Sequence, residues 1–420
     1  MTLDYKNIDL AVIGGGAAGL MAAGRAAEKG LKVLLIDKKK KVGSKILITG
    51  KGRCNITNAE NDLKTFLKVY GSAENWTRKA FYHFNNQAAI DFFESHSLPL
   101  KTERGQRVFP VSDSAVDIVR VLKSYAIDHG VTLLLENPVT NIVHSPEDGI
   151  KYLKLSNGKQ ITAKHYLICT GGKSYPATGS SGEAYGWLAE MGHDIIPPRP
   201  ALCPIIVKNG FVKQLEGLSL KNVRLSFWKG AKIDERFGEA LFTSNGMSGP
   251  ACLDLSIVIS KNDIKNTQLS IDFKPALDRK KLDKRLLRDF QDQPQKHFKN
   301  TLKALLPSKL IPVMIELSGI SDEKKVSEIS KIERKKLLTL LKDFRMDIKE
   351  LAGFEKAIVT AGGVSLKDVD SKNMQSRKVK NLSLAGEVLN ADARTGGFNL
   401  QFAWSTARLA ADKIADSLLH

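Results

Sequence analysis

Short apolar runs and one alanine-rich segment alternate near the start of the chain. Ile8–Ile13 and Leu31–Ile36 have the length and composition of buried strands, and Leu20–Lys29 is apolar at helical spacing and is followed by Gly30. The second run ends at Asp37. This pattern predicts a β-α-β unit of the Rossmann type.

Similar patterns predict further elements along the chain. A Ser-Asn-Gly-Lys turn at residues 156–159 joins two of the predicted strands. The predicted strands are Leu133–Glu136, Ile150–Leu155, Gln160–Ala163, Tyr166–Thr170, Lys356–Thr360 and Leu382–Leu384, and a long helix over Leu400–Leu419 closes the chain.

The middle of the chain has a different pattern, which predicts an inserted region. The proline-rich stretch Ile196–Pro200 indicates a boundary. The pattern is then strand-like as far as Phe273 and becomes helical over Lys274–Phe344. We therefore expect an α/β protein in which a Rossmann-type domain (residues 1–195 and 355–420) carries a β-rich, barrel-like domain (196–273 and 345–354). That domain would carry a basic helical insertion of its own (274–344).

Composition excludes several classes of protein. The chain of 420 residues is 42% hydrophobic and 26% charged, has no apolar run long enough to cross a membrane, and does not begin like a signal peptide, so we expect a cytoplasmic protein. Its four cysteines form no CxxC pair and its histidines have no metal-binding spacing. We expect no metal site and no disulfide framework, so any redox chemistry must come from a cofactor.

The first cluster of glycines has the spacing of a dinucleotide-binding loop. Gly14, Gly16 and Gly19 form G-x-G-x-x-G between a predicted strand and helix, and Asp37 ends the next strand, where an acid can bind ribose hydroxyls. The candidate residues of this loop include Ala17 and Ala18. Further candidate cofactor residues are Lys38, beside Asp37, and Thr170 and Gly171, at the end of another predicted strand.

FAD and NAD share this fingerprint, and the C-terminal region favours FAD. Glu387 follows Gly386 at a strand end, where its carboxylate can hold a ribityl hydroxyl. A helix beginning just after Gly396-Gly397 can aim its N–H groups at the pyrimidine edge of a flavin. The segment Gly43–Asn58 is rich in glycine, hydroxyl, amide and cationic groups, which suits a loop against an anionic cofactor.

Seven segments together resemble the BaiN/YhiN-type flavoprotein family, the aminoacetone-oxidase family of FAD-binding enzymes. These segments run from about residue 12 to 407: VIGGGAAGL, GSKILITGKGRCNITN, RVFPVSD, CTGGKSYPATGSSGEAYGWLAEMGH, LFTSNGMSGPACLDLS, VTAGGVSLKDVD and LAGEVLNADARTGGFNLQFAWSTA. The resemblance implies that the loop Gly14–Gly19 and Asp37 hold the ADP half of FAD. It implies a flavin-side set of Lys45, Thr49, Gly50, Arg53, Asn55 and Thr57, and a set flanking the ribityl chain and ring of Gly386, Glu387, Gly397, Asn399 and Gln401. Phe398 is a further candidate cofactor residue. Ser244 and Ala407 depart from the family pattern, which commonly has histidine and glycine there.

The family resemblance also implies a reaction. Only one dinucleotide fingerprint is present, so the reductant must bind transiently near the flavin or be another electron carrier, and we expect transient NAD(P)H. The implied substrates are a uridine in ribosomal RNA, reduced to dihydrouridine, or a conjugated enone in a steroid-like acid. Cys54 is a candidate proton donor, or else a small buried residue that packs against the cofactor.

Net charge helps to separate these alternatives. The chain has 64 Lys and Arg against 45 Asp and Glu, a net charge of +19, which favours a polyanionic partner such as ribosomal RNA. We expect the helical insertion to grip RNA through Lys280, Lys281, Lys284 and Arg285. Two alternatives stay open: a small-molecule flavoenzyme (an enone reductase or amine oxidase) and a non-enzymatic flavin-binding protein associated with RNA.

Overall fold

The computed structural model describes residues 7–420. They form two compact units, the first from residues up to Pro200 and from Phe354 to the end, the second from Ala201 to Gly353. The helices are α1 (Ala17–Glu28), α2 (Leu63–Leu67), α3 (Glu74–His83), α4 (Asn86–Ser95), α5 (Ala115–Asp128), α6 (Glu183–Glu190), α7 (Pro250–Ser260), α8 (Arg279–Asp292), α9 (Phe298–Leu302), α10 (Ile311–Ser318), α11 (Lys331–Lys342) and α12 (Phe398–Leu419).

Nineteen strands are found over residues 7–420. They are β1 (Ile8–Ile13), β2 (Val33–Ile36), β3 (Thr57–Asn58), β4 (Leu100–Glu103), β5 (Arg107–Pro110), β6 (Thr132–Leu134), β7 (Val139–Ser145), β8 (Gly149–Leu155), β9 (Gln160–Ile161), β10 (Ala163–Ile168), β11 (Ile195–Ala201), β12 (Ile205–Val207), β13 (Ser219–Lys229), β14 (Ala231–Thr243), β15 (Gly246–Ser248), β16 (Gln268–Asp272), β17 (Phe344–Leu351), β18 (Val359–Val364) and β19 (Leu382–Leu384).

A five-stranded parallel sheet organises the first unit. Its order is β19-β10-β1-β2-β6, so the first strand of the chain lies at the centre. Leu10 and Val12 of β1 face one hydrophobic core, and Ala11 and Ile13 face another. A parallel sheet covered on both faces needs apolar side chains at successive positions. The predicted Rossmann-type fold is therefore confirmed.

The first core contains the apolar faces of α1, α5 and α12. Helix α1 begins at Ala17, three residues before the predicted start at Leu20, because Gly16 is its N-cap. The second core contains residues of the small sheets and of α6. Sequence patterns did not predict the elements between residues 57 and 128, which include α2–α5 and β3–β5.

The second unit contains a closed six-stranded barrel. Its strand order is β12-β15-β14-β13-β16-β17, which confirms the expected barrel-like region. Helix α7 lies in a stretch expected to be strand-like, and that expectation is wrong: Pro250 occupies the first turn of a helix, where its missing N–H costs nothing. Helices α8–α11 share one hydrophobic core with the barrel, so both belong to the same compact unit.

Within residues 7–420, no helix has the length and hydrophobicity needed to cross a membrane. The same residues contain no group of three or more His, Cys, Asp or Glu side chains placed to hold a metal ion. All four cysteines are buried as free thiols.

Candidate nucleotide-binding site

The carboxyl ends of the parallel strands meet at one edge of the sheet. The hydrogen-bonded register aligns the last residues of all five strands there: Leu384, Ile168, Ile13, Ile36 and Leu134. The glycine loop, Asp37, Thr170-Gly171 and Gly386-Glu387 follow four of these strands directly. In open α/β sheets this edge is where nucleotides bind.

The glycine loop leaves open space only at its middle glycine. A Cβ atom on Gly14, which has φ +105°, would lie 2.6 Å from the carbonyl oxygen of Cys169. A Cβ on Gly19 would lie 1.8 Å from the carbonyl oxygen of Gly14. A Cβ on Gly16 would meet nothing within 4 Å. The outer glycines thus allow the tight turn and the close packing of α1, while Gly16 leaves room for a ligand.

The N-terminus of α1 faces this space without a capping side chain. Gly16 is the N-cap and makes no side-chain hydrogen bond to the first turn. Ala17 has accessible surface, whereas Ala18 is buried beneath it. The N–H groups and the positive helix dipole can therefore bind a pyrophosphate.

Asp37 is held beside the loop by two backbone amides. Its Oδ2 accepts a hydrogen bond from the N–H of Gly15 at 2.6 Å, and its Oδ1 accepts one from the N–H of Lys39 at 2.7 Å. Each carboxylate oxygen can accept a second bond, which ribose hydroxyls can donate. Lys38 points elsewhere, since its Nζ donates to Ser181 Oγ at 2.5 Å and pairs with Glu183 at 2.7 Å.

Glu387 and Lys45 form an ion pair although 342 residues separate them in sequence. Lys45 Nζ lies 2.6 Å from Glu387 Oε2, and the two side chains are 20% and 22% exposed. Ser174 Oγ donates to Glu387 Oε1 at 2.9 Å, and the N–H of Thr360 donates to the same oxygen at 2.8 Å. The structure therefore brings the predicted flavin-side lysine and ribityl-side acid together.

Thr57 and Gln401 hold the start of α12 from inside the protein. Thr57 Oγ1 donates to Gln401 Oε1 at 2.6 Å, and neither residue has exposed surface. Gly397, the N-cap of α12, has φ +95°, and a Cβ there would lie 2.3 Å from the carbonyl oxygen of Thr57. Gln401 and Thr57 thus position a second helix N-terminus that has no capping side chain.

Asn399 and Phe398 also make internal contacts. Asn399 exchanges two hydrogen bonds with the backbone of Ala393, at 3.0 and 2.8 Å. The ring of Phe398 packs edge-on against Phe66 at 4.9 Å between centroids. Both residues fix the loop before α12 and support its N-terminus.

Arg53 and Cys54 lie in less favourable positions for the roles predicted. Arg53 pairs with Glu103 and, at 2.8 Å, with Asp113, and its guanidinium lies 4.1 Å from the ring centroid of Phe109. Cys54 has no exposed surface, and burial raises the pKa of its thiol to about 12. The Cys54 thiol therefore does not line a space that a substrate could enter, and the structure gives the proton-donor role no support.

The loop before Arg53 contains two other predicted residues. Thr49 Oγ1 donates to the carbonyl of Ile46 at 2.7 Å. Gly50 has φ +55°, and a Cβ there would lie 3.1 Å from the N atom of Asn55. Gly50 therefore makes the tight turn that brings the two arms of the loop together.

Three buried polar atoms of the first unit have no hydrogen-bond partner among residues 7–420: Asn55 Oδ1, Thr170 Oγ1 and Tyr185 Oη. Burial of such an atom without a partner is costly, so each of the three is a candidate contact for a bound ligand. Tyr185 was not predicted; burial, and then the negative charge of Glu387, raise the pKa of its phenol. Tyr185 lies in GEAYGWL, part of one of the seven segments that resemble the family, and this position could have marked it as a site residue.

These groups fit FAD. The loop and α1 offer N–H groups to a pyrophosphate, Asp37 offers acceptors to a ribose, and the uncapped N-terminus of α12 can meet an electron-rich ring edge. Gly171 has φ +71°, and a Cβ on Gly386, which has φ +78°, would lie 2.9 Å from the Cβ of Ala18. Larger residues than glycine would therefore be crowded at Gly386 and strained at both positions.

A family model supports the same conclusion. The model described as "HI0933-like protein Rossmann domain" matches residues 8–413. The chain belongs to this family. The match confirms the family resemblance drawn from the sequence motifs. Members of the family are FAD-dependent oxidoreductases, so the prediction that the chain is an enzyme is also confirmed.

Similar curated proteins cover the HI0933-like chain almost completely. A "Ribosomal RNA dihydrouridine synthase" of Haemophilus influenzae is 30% identical over 96% of this chain and 98% of its own length. A protein of the same name from Escherichia coli is 30% identical over 96% of both chains. A "3-dehydro-bile acid delta(4,6)-reductase" of Clostridium scindens is 29% identical over 97% of this chain and 99% of its own.

Solved structures show the same fold at lower identity. The 3-ketosteroid delta1-dehydrogenase of Sterolibacterium denitrificans matches 98% of this chain and 100% of its own, with a TM-score of 0.56 and 13% identity. An Escherichia coli quinol fumarate reductase subunit matches 99% of this chain and 71% of its own, with a TM-score of 0.53 and 15% identity. The HI0933-like chain therefore shares the fold of flavoprotein dehydrogenases and reductases.

The predicted RNA-binding residues lie in the second unit, on α8. Lys280, Lys281 and Lys284 are exposed and have no ion pair among the described residues, and Arg285 lies 3.5 Å from Asp289. The predicted FAD residues all lie in the first unit.

Proposed function

We propose that this FAD-dependent oxidoreductase reduces a uridine of ribosomal RNA to dihydrouridine, with NAD(P)H as the source of electrons. The observation that carries the proposal is the net charge of +19, which a small-molecule enzyme does not need and an RNA enzyme can use. The names of two relatives, each 30% identical over 96% of this chain, support the same substrate. A cytoplasmic location would follow from that substrate.

When bound, FAD supplies a hydride for a carbon–carbon double bond that is conjugated to a carbonyl. In uracil the hydride goes to C6, which is the β-carbon, and a proton goes to C5. The chain's residues bind and orient the groups involved. The glycine loop and Asp37 hold the ADP half, and the Lys45–Glu387 pair fixes two side chains where the strands β10 and β19 end.

In this proposal a nicotinamide nucleotide is the reductant and binds only transiently. The chain has one dinucleotide fingerprint, and we assign it to FAD. NAD(P)H would therefore bind, transfer its hydride and leave before the RNA base is reduced. The proton donor is not Cys54 in this proposal, since its thiol is fully buried.

Reduction of a small enone is the second candidate. The Clostridium scindens relative named as a bile acid reductase matches 97% of this chain at 29% identity. This identity is almost the same as that of the two relatives named for an RNA substrate, so identity alone favours neither substrate. The chemistry is the same, because hydride again adds to the β-carbon of a conjugated double bond. The charge of +19 has no role in this second candidate.

The test is a nucleoside mass analysis of ribosomal RNA from cells with and without the gene. We expect deletion to remove one dihydrouridine, and the wild-type gene to restore it. Gly14→Ala should fail to restore it, because a Cβ there would lie 2.6 Å from the carbonyl oxygen of Cys169 and the turn of the phosphate loop would open.

The control variant for this test is Gly186→Ala. Gly186 is exposed on α6 and a Cβ there would meet nothing within 4 Å, so this variant should restore the modification. An unchanged dihydrouridine profile after deletion would rule out the RNA substrate. NAD(P)H oxidation by the purified protein with a steroid enone, and not with ribosomal RNA, would establish the second candidate.

A further inference from the structure

One face of α8 lines a cleft of about 720 Å³ in the second unit. Lys281, Lys284, Arg285 and Arg288 lie on this face at helical spacing, i, i+3, i+4 and i+7. The lining also includes Thr301 of α9 and Ala304. We call this cleft the α8 groove.

The buried side of α8 fixes the orientation of this face. Leu282, Leu286 and Phe290 of α8 are buried in the core that the helices share with the barrel. Asp278 caps the helix through the N–H of Lys281 at 2.7 Å. Because the helix cannot rotate without exposing its apolar residues, the row of cations stays in the groove.

The α8 groove carries more positive charge than its own acids can neutralise. Its lining includes five cations and two acids: Lys281, Lys284, Arg285, Arg288 and Lys296 against Asp289 and Asp292. Asp289 is shared, since it lies 3.5 Å from Arg285 and 3.5 Å from Arg288. Lys281, Lys284 and Lys296 have no ion pair among residues 7–420.

The pKa of a neighbouring lysine reflects its burial first and the positive charge of the groove second. Lys274 has a lowered pKa, first because it is partly buried and second because the positive charge of Arg285 is close. Lys280, by contrast, does not line the groove although it is adjacent to Lys281 in sequence. The structure thus separates the four cations predicted from the sequence into three inside the groove and one outside it.

We infer that the α8 groove binds the phosphodiester backbone of the RNA substrate. This inference rests on the proposed function and adds the place where the RNA is held. The row from Lys281 to Arg288 spans about 10 Å of helix, long enough to follow a strand past more than one phosphate. No aromatic side chain lines the groove, so it suits contact with the backbone and not base stacking.

The lining favours RNA over an acidic protein. Stable protein interfaces use buried aromatic or aliphatic anchors, whereas the apolar residues of this lining are Leu277 and Ala304. A row of cations without apolar anchors is the usual means of binding nucleic acid independently of sequence.

The test measures binding of a fluorescent single-stranded fragment of ribosomal RNA to the full-length holoenzyme at several salt concentrations. The test variant carries Lys281→Gln and Lys284→Gln. The control variant carries Lys331→Gln and Lys335→Gln, two exposed lysines of α11 without an ion pair among the described residues. Both variants lose two positive charges, so net charge does not distinguish them.

We expect the groove variant to bind RNA at least 10-fold more weakly than the control variant. The plot of log K against log salt concentration should become shallower by about 1.4, since each phosphate contact on a single strand contributes about 0.7. Equal affinity and equal slope for the two variants would overturn the inference. Tighter binding of polyglutamate than of the RNA fragment by the wild type, lost in the groove variant and kept in the control variant, would assign the groove to an acidic protein instead.

A second readout separates this inference from the proposed function. If the control variant forms dihydrouridine and the groove variant binds RNA as tightly as the wild type, the proposed function stands and RNA binding by the α8 groove is refuted. If the groove variant loses RNA binding but the wild type forms no dihydrouridine, RNA binding by the α8 groove is supported and the proposed reaction is refuted.

Discussion

Replacement of Gly16 by alanine tests the assignment of the phosphate loop. Gly16 has φ −86° and ψ −159°, an extended conformation that alanine adopts freely, and a Cβ there would meet nothing within 4 Å. The polypeptide can therefore accept the new methyl group without moving. The methyl group would project into the space where we place the pyrophosphate of FAD.

The effect on the protein without FAD should be small. Alanine is a poorer N-cap than glycine by up to about 1 kcal/mol, and the loss of a glycine from the unfolded chain returns about 0.4–1 kcal/mol. The effect on FAD binding should be larger. Displacement of one phosphate oxygen from a backbone N–H removes a charge-assisted hydrogen bond of about 1.5–3 kcal/mol, which is roughly a 10- to 100-fold loss of affinity.

Denaturant unfolding of the apoprotein with and without FAD measures both quantities. At an FAD concentration about 100 times the wild-type Kd, the cofactor should stabilise the wild type by about 2.7 kcal/mol. A variant with 100-fold weaker binding should gain only about 0.4 kcal/mol. Gly186→Ala is the control, because Gly186 also has open space at the Cβ position but lies on an exposed part of α6.

The control should gain the same stability from FAD as the wild type, on a baseline raised by about 0.5–1 kcal/mol because alanine is the better helix former. If Gly16→Ala also gains the full wild-type amount, the pyrophosphate does not lie against this loop and the site assignment fails.

Three other changes probe the same unit. Thr170→Val should leave apoprotein stability nearly unchanged and weaken FAD binding by about 1 kcal/mol in a titration, since the buried Thr170 hydroxyl has no partner among residues 7–420; unaltered affinity would contradict the contact. Cys54→Ala should keep kcat within about twofold and lower the unfolding free energy by about 1 kcal/mol, since the thiol is fully buried; a large loss of kcat would restore the proton-donor role. Burial raises the pKa of Asp412, but hydrogen bonds from His83 and Arg25 lower it more, so it lies below 3.8. The ionised Asp412 therefore stabilises the folded state above pH about 4, and this contribution is lost as the pH falls through the folded-state pKa. In denaturant titrations at several pH values, Asp412→Asn should lose less unfolding free energy than the wild type as the pH is lowered. An equal loss in both proteins would refute this role of Asp412.

Local patterns predicted those parts of the fold in which neighbours in sequence are also neighbours in space. The first β-α-β unit is of this kind, because its two strands are buried apolar runs that pair with each other. The strand Leu382–Leu384 was also predicted, but its partner β10 lies far away in sequence, and this pairing comes from the assembled sheet. Helix α7 was misread because its segment is apolar on all sides, so hydropathy alone does not separate helix from strand. Pro250 after Gly249 was the signal for a helix start.

The candidate site divides in the same way. The glycine loop and Asp37 were predicted from spacing, since a pyrophosphate site needs those residues close together in sequence. The partners of Arg53 were not found, because Glu103 and Asp113 lie in a segment whose pattern predicted no element. The ion pair between Lys45 and Glu387 joins residues 342 positions apart, a contact that only the assembled sheet creates.

The nucleotide site is built largely from backbone groups, and this explains how one scaffold can accept different substrates. Gly14 and Gly397 allow close backbone approach, and Gly16 leaves open space. Thr57 and Gln401 hold the start of α12 without exposed surface. Relatives named for an RNA substrate and for a bile acid match this chain over nearly its whole length at almost equal identity. Since hydride transfer to a conjugated double bond needs the same flavin site in both cases, we expect side chains outside that site to select the substrate. The cations of the α8 groove, which we propose to bind RNA, have the chemistry to favour a polyphosphate over a steroid.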